Sequence, residues 1–170
     1  MRVPKLLLPA FLAVIVTGCV GYHLGPVNGV VAGEKTVEVL PFNNQTLQPR
    51  LGDAVTQALR ERLQVDGTYR LATRAPADIV ISGVISRYDR EGLGYLNNDS
   101  ATPQNFLVVV TTHVVIRERA SGKLLLERDV KARTLVNVGL DFASSERQST
   151  SLLAADLARS VAELLTEGAW

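Results

Sequence analysis

The chain has 170 residues, 46% of them apolar and 21% charged, with a formal net charge of +1 at pH 7. That length suits one ordinary domain, and the near balance of charge excludes a general polyanion binder, so any anion recognition must be local. A single cysteine excludes a disulfide framework within the chain.

Met1-Arg2-Val3-Pro4-Lys5 is a short basic segment, and Leu6 to Val16 carries no charge. This is the layout of a secretory signal, too short to span a bilayer, which takes about 20 apolar residues. Small residues then lead into Cys19, in Val16-Thr17-Gly18-Cys19. The tetrapeptide resembles the bacterial lipobox: an aliphatic residue, a small one, Gly or Ala, then the lipidated cysteine. The resemblance implies cleavage of residues 1–18, a diacylglycerol on the Cys19 thiol and an acyl chain on its new amine. Several acyl chains, at about 0.8 kcal/mol per buried methylene, hold a protein to a membrane almost irreversibly. Cleavage removes Arg2 and Lys5 and leaves 16 basic against 17 acidic residues. No other cofactor and no metal is expected.

Residues 19–33, rich in Gly and Val, read as a short lipidated tether, and residues 34–170 as one domain. Thr36 to Phe42 alternates as a strand, with Pro41 near its end. From Pro49 to about Val65, Leu51, Val55, Ala58, Leu59, Arg62 and Leu63 recur at helical steps, Arg62 being the polar exception. Asp66-Gly67 ends that helix. Tyr69 to Thr73 is a short strand. Asp78 to Arg90 is a longer one, in which Gly83 marks a candidate bulge. Glu91 to Asn105, carrying Gly, Asn, Asp and Pro throughout, reads as a long loop.

Phe106 to Arg119 and Lys123 to Val136 form a hairpin about Ala120-Ser121-Gly122. One face carries Val108, Val110, Thr112, Val114 and Ile116, opposite Leu124, Leu126, Val130 and Ala132, and reads as core. The other carries Val109, Thr111, His113, Val115 and Arg117 beside Leu125, Glu127, Asp129, Lys131 and Arg133, a mixed face fit for water or a partner. Ser145-x-x-Gln148 is a capping-box signal for a last helix reaching about Thr166, apolar along Leu153, Leu157, Val161 and Leu164. Trp170 is placed at the sheet edge. The fold class expected is α+β: a single mostly antiparallel sheet of four or slightly more strands, with two helices packed on one face.

Chemistry is scarce. His23 and His113 have no neighbours at metal-ligand spacing. Gly92-Leu93-Gly94 precedes no helix and makes no phosphate loop, and no serine sits in a Gly-x-Ser-x-Gly elbow. Asp78 and Asp89 are read as solvated strand-end carboxylates. A binding or assembly protein is expected, not an enzyme.

Four stretches, in order, carry a second resemblance. "CVGYHLG" follows the anchor, then come "VEVLPFNNQTLQPRLGDAVTQALRERL", "ADIVISGVISRY" and "RERASGKLLLERDV". Together they resemble the lipopolysaccharide-assembly lipoproteins, the LptE family, with Val20 one residue more than the commonest spacing. The resemblance implies an outer-membrane lipoprotein, lipid-anchored on the periplasmic face. It would plug and help assemble an LptD-type β-barrel and bind lipopolysaccharide, with no nucleic acid among its partners. Val20, where enterobacterial sorting reads Asp as a retention signal, is compatible with the outer membrane. Val109, Thr111, His113 and Val115 are the candidate barrel contacts. Lipopolysaccharide needs cations near its phosphates, and Arg117, Arg119 and Lys123 at the hairpin tip, with Arg87 and Arg90, are the candidates. A lipoprotein that activates a penicillin-binding protein shares the "VLPF" strand and helix in outline, but its usual long leash is missing from residues 20–33. A glycan-cleaving lipoprotein would need a carboxylate pair that the sequence does not offer.

Overall fold

The structure, a computed structural model, describes residues 31–74, 76–96, 99–137 and 142–168. In chain order the elements are β1 (Thr36–Val39), β2 (Asn43–Asn44), α1 (Leu51–Asp66), β3 (Arg70–Leu71), β4 (Ile79–Leu96), β5 (Asp99–Glu118), β6 (Leu124–Asn137) and α2 (Phe142–Glu167). The strands make one sheet in the order β3-β1-β4-β5-β6, with β2 joined to β4 beyond the end of β1. Cys19, the signal segment and most of the tether lie outside the described residues, as does Trp170. The last tether residue is fastened: the Gly33 N–H donates to the Thr68 carbonyl at 2.9 Å.

The α+β class and the two helices agree with the sequence. The sheet differs, having six strands and mixed direction. β1 runs parallel to β3 and to β4, and β2 parallel to β4, while β4-β5-β6 is antiparallel. The cause is α1, which carries the chain back to the end where β1 began, so the next strand repeats its direction.

Between β1 and β2 the strand is interrupted at Pro41, which has no N–H to give. Before the break, Leu40 N–H donates to the Ile81 carbonyl, and after it Gln45 N–H donates to Ile85, both at 2.9 Å. In the gap, Phe42 N–H turns to Thr56 Oγ1 (2.9 Å), and that hydroxyl donates to the Gly52 carbonyl (2.7 Å). The Phe42 side chain is buried against Gly83, where an added Cβ would lie 2.3 Å from the ring. Gly83 is therefore clearance for Phe42 and not the bulge expected there. The bulge sits at Ser86, between Ile85 and Arg87. It reverses the inside–outside parity of β4, so that Tyr88 follows Ile85 onto the helix side.

The supposed loop Glu91 to Asn105 is mostly strand. Glu91 pairs with Leu107, Gly92 with Phe106, Leu93 with Asn105 and Tyr95 with Pro103. Its composition carries the turn chemistry of a loop, but the β-branched run of β5 extends the ladder, and Gly94 takes the φ of +64° that another residue would resist.

α1 buries Leu51, Val55, Leu59 and Leu63, while Arg62 is exposed, and Gly67 at φ +73° returns its N–H to the Leu63 carbonyl. α2 begins at Phe142, so Ser145 lies inside it and is not its cap. Its buried stripe is Leu153, Leu157, Val161 and Leu165, with Ala154 and Ala158 beside it, all six expected on or behind the apolar face, while Leu164 is only half-buried. Both helices lie on one face, over Val37, Val39, Ile79, Ile81, Ile85, Val108, Val110, Val114, Ile116 and Ala132. Tyr69 ties α2 to the β3 edge by donating to the Leu165 carbonyl at 3.3 Å.

One buried side chain in this core is misfitted. Thr112, fully buried between Ile85 and Val130, has no partner for its hydroxyl. A buried polar group without a bond costs about 1–3 kcal/mol. Thr112→Val, of the same shape, is expected to raise stability by about 1 kcal/mol in urea unfolding; a loss of stability would show that the hydroxyl is used.

Candidate functional site

The sheet face away from the helices is left bare by the described residues. Along β5, Val108, Val110, Thr112, Val114 and Ile116 are buried, and Val109, Thr111, His113 and Val115, alternating with them, are only half-buried. All four expected contact residues thus share one face. Register sets their neighbours. Val115 lies between Ser82 and Glu127, His113 between Val84 and Asp129, Thr111 between Arg87 and Lys131, and Val109 between Asp89 and Arg133. The result is a narrow β-branched stripe walled by charged strands. Two serines of β4 tie their hydroxyls to its backbone: Ser82 donates to the Val115 carbonyl (3.4 Å) and Ser86 to that of Thr111 (3.3 Å).

His113 stands at the middle of this face, held at both ring nitrogens. Nδ1 lies 2.8 Å from Asp129 Oδ1, and Nε2 lies 3.1 Å from Glu127 Oε1. The Asp129 bond is the largest influence and raises the imidazole above its ordinary value; desolvation opposes it, and the Glu127 bond and the charge of both carboxylates add to the rise. This clamp was not visible from the neighbours of His113 along the chain. The signal was the Glu127-x-Asp129 spacing, which puts both acids on the face of β6 that meets His113.

The five candidate cations do not form one cluster. Arg117 is exposed at the hairpin end of β5. Arg119 is ion-paired with Glu38 across β4, and its N–H donates to the Asp78 carbonyl at 2.8 Å. Lys123 borders a cleft of about 340 Å³ with Glu34, Lys35, Asp78 and Glu118, so acids accompany the cations there. Asp78 is more than a solvated strand end. It accepts from the Thr36 N–H (2.8 Å) and the Thr36 hydroxyl (2.7 Å), latching β1 to β4. Those bonds, the backbone one first, hold its carboxyl below the usual range. Arg87 and Arg90 are separated by the Ser86 bulge. Arg87 is on the bare face, 4.0 Å from Asp89. Arg90 is on the helix side, ion-paired with Glu146 and with its guanidinium 5.2 Å from the Tyr88 ring. Arg87 is also about 25 Å along β4 from the hairpin end, at about 3.3 Å per residue.

Among the described residues, no group of three or more His, Cys, Asp or Glu side chains is disposed to hold a metal, and no helix is long and apolar enough to cross a membrane. The arrangement offers contact surfaces.

The family model for LptE, lipopolysaccharide-assembly, matches residues 34–167. The chain belongs to this family. No curated protein matches the sequence. Among solved structures, a hypothetical protein of Chlamydia trachomatis is similar at a TM-score of 0.58 and 11% identity, over 79% of this chain and 97% of that one. A protein of Xanthomonas campestris gives 0.56 and 10%, over 86% and 90%. A minor lipoprotein of Acinetobacter baumannii gives 0.54 and 16%, over 78% and 93%. At these identities the likeness is one of fold. Membership of LptE assigns the chain a role in lipopolysaccharide assembly as an envelope lipoprotein.

The raised value of His113 has a definite sign. Protonated in the native state, it adds stability that is fully present below its unfolded value of 6.5 and is lost as pH rises through the higher native value. The stability gap between the wild type and His113→Gln, measured by urea unfolding across pH, is expected to shrink as pH rises above 6.5. A gap that stays constant or widens would show that the clamp does not depend on the charge.

Proposed function

We propose that this protein is an outer-membrane lipoprotein, anchored at the periplasmic face through Cys19 bearing diacylglycerol and an N-acyl chain. Its bare sheet face seats inside an LptD-type β-barrel, which it plugs and helps to assemble, and it binds lipopolysaccharide on the way outward. The observation that carries this reading is the LptE match over residues 34–167, joined to a sheet that the described residues cover on one side only.

The chemistry of the bare face supports it. The interior of a membrane barrel is polar, so a plug surface needs β-branched and hydrogen-bonding side chains with paired charges. The stripe Val109-Thr111-His113-Val115, with His113 clamped by Asp129 and Glu127, is of that kind. A lipid-facing surface would have to be apolar throughout. Position is limited as well: residues 20–33, even fully extended, keep the domain within roughly 50 Å of the bilayer. For the phosphates of lipopolysaccharide, Arg117 and Lys123 at the hairpin end are the freest of the five candidate cations, because Arg119 holds Glu38 and Arg90 holds Glu146. The role is one of binding and assembly, with no catalytic step.

The test is a mild-detergent capture of the lipidated protein from its own envelope, with partners identified by mass and bound lipopolysaccharide measured. A stoichiometric large outer-membrane barrel is expected, together with lipopolysaccharide that falls at least several-fold in Arg117→Glu/Lys123→Glu. A peptidoglycan synthase in place of the barrel would overturn the reading in favour of a penicillin-binding-protein activator. Unchanged lipopolysaccharide in the double variant would remove the hairpin end from the site.

A further inference from the structure

Arg50, in the turn that joins β2 to α1, breaks two local rules. Its φ is +60°, and among the described residues no other non-glycine residue has a positive φ. A side chain resists that left-handed conformation because its Cβ crowds the following carbonyl. Arg50 is also the residue before the first turn of α1, and its side chain makes no cap hydrogen bond. Ser, Thr, Asp, Asn or Gly is preferred at that position. Arg50 is exposed and has no ion pair among the described residues. Glycine would serve the chain's own fold better on both counts. Three residues earlier, Leu47 is wholly exposed.

A lone leucine on a loose loop needs no explanation, but this turn is fastened from within and from three sides. Asn44 Oδ1 accepts from the Thr46 N–H (3.0 Å) and hydroxyl (2.7 Å), and Asn44 Nδ2 donates to the Gln48 carbonyl (2.7 Å). The Gln48 N–H donates to Thr46 Oγ1 at 3.3 Å. The Gln48 side chain donates to Thr150 of α2 and accepts from Arg90 of β4, both at 3.4 Å. Gln45 is held to Ile85 of β4 by its N–H. The turn is therefore ordered before any partner arrives, and a partner that takes Leu47 loses little further entropy in doing so.

Its place in the fold narrows the partner. The tether is fastened at Gly33 to Thr68, just past the C-terminal end of α1. The turn lies at the other end, separated from Thr68 by the 16 residues of α1, about 24 Å of helix. It thus belongs to the end of the domain away from the tether. That end goes first into a barrel entered from the anchored side, and it is turned away from the anchoring leaflet.

We propose that Leu47 and Arg50 form a preorganised contact with the inner wall of the barrel, Leu47 filling an apolar hollow and Arg50 meeting a carboxylate beside it. This inference rests on the barrel reading and adds a second contact to that of the bare face. Strain kept at a residue that serves nothing in its own chain marks a residue held for something outside it.

The test is capture of the barrel by the full lipidated chain from its own envelope in mild detergent, beside urea unfolding of each variant. Leu47→Asp should unfold at the wild-type midpoint and recover at least about tenfold less barrel, while Leu47→Met keeps recovery near the wild type. Arg50→Gly, which relieves the left-handed conformation, should unfold at a higher midpoint and yet recover several-fold less barrel. Wild-type recovery by Leu47→Asp or by Arg50→Gly would overturn the proposal and leave the barrel reading standing. A lower unfolding midpoint for Leu47→Asp would show that the leucine serves the fold, and would overturn it too. If the wild type itself recovers no barrel, the barrel reading falls and this inference with it.

Discussion

A strand has two faces, and the two helices among the described residues cover one. Among the described residues, each fully buried side chain of the sheet belongs to the face beneath α1 and α2. Burying a Val, Leu or Ile is worth about 1.5–3 kcal/mol, so the one-sided stripe is where the stability of the fold is concentrated. It also fixes register, because a slip of one residue would turn the whole apolar set outward. Everything on the opposite face is thereby released from the core. Val109, Thr111, His113 and Val115 lie outside the buried core of the described residues, which leaves their chemistry open to a partner.

The two layers are held together at the interruption between β1 and β2. Pro41 breaks the ladder, and Phe42 descends into the core over Gly83 while its N–H is satisfied by Thr56 of α1. Gly52 is needed close by, since a Cβ there would lie 2.5 Å from the Phe42 carbonyl oxygen. One proline, one aromatic and two glycines thus set the distance and angle between α1 and the sheet. The Asp78–Thr36 latch does the same for the start of β1, and with Arg119 and Glu38 it ties the hairpin end to the parallel part of the sheet. The hairpin end is consequently part of the rigid frame, which suits a binding edge better than a loose tip would.

Where sequence and structure agree, the signal was periodic. Alternation in β5 and β6 and the three-and-four spacing of Leu51, Val55, Leu59 and Leu63 each report burial directly. The misses arise where pairing partners decide. Glu91 to Asn105 has the composition of a loop and the conformation of a ribbon, because strand β5 opposite it supplies the ladder. The antiparallel β4-β5-β6 ladders agree with the sequence, but the short parallel pairings of β1 were missed because nothing in β1 itself says that α1 will return the chain beside it. Ser86 gives no local sign of a bulge beyond the broken phase between Ile85 and Tyr88, and that phase break is what parts Arg90 from Arg87. Ser145 has the form of a cap, but the helix had already begun at Phe142. The bare face was legible as a face; the clamp on His113 and the latch on Asp78 required the fold to bring distant residues together.

The claim on which the account turns is that the bare face, and not the helix layer, meets the barrel. Photo-cross-linking in the native envelope tests it most directly, with a cross-linking residue placed in turn at Thr111 on the bare face and at Arg62 on the exposed side of α1. A cross-link to a large outer-membrane barrel is expected from position 111 and none from position 62. A barrel cross-link from position 62 with none from position 111 would contradict the claim.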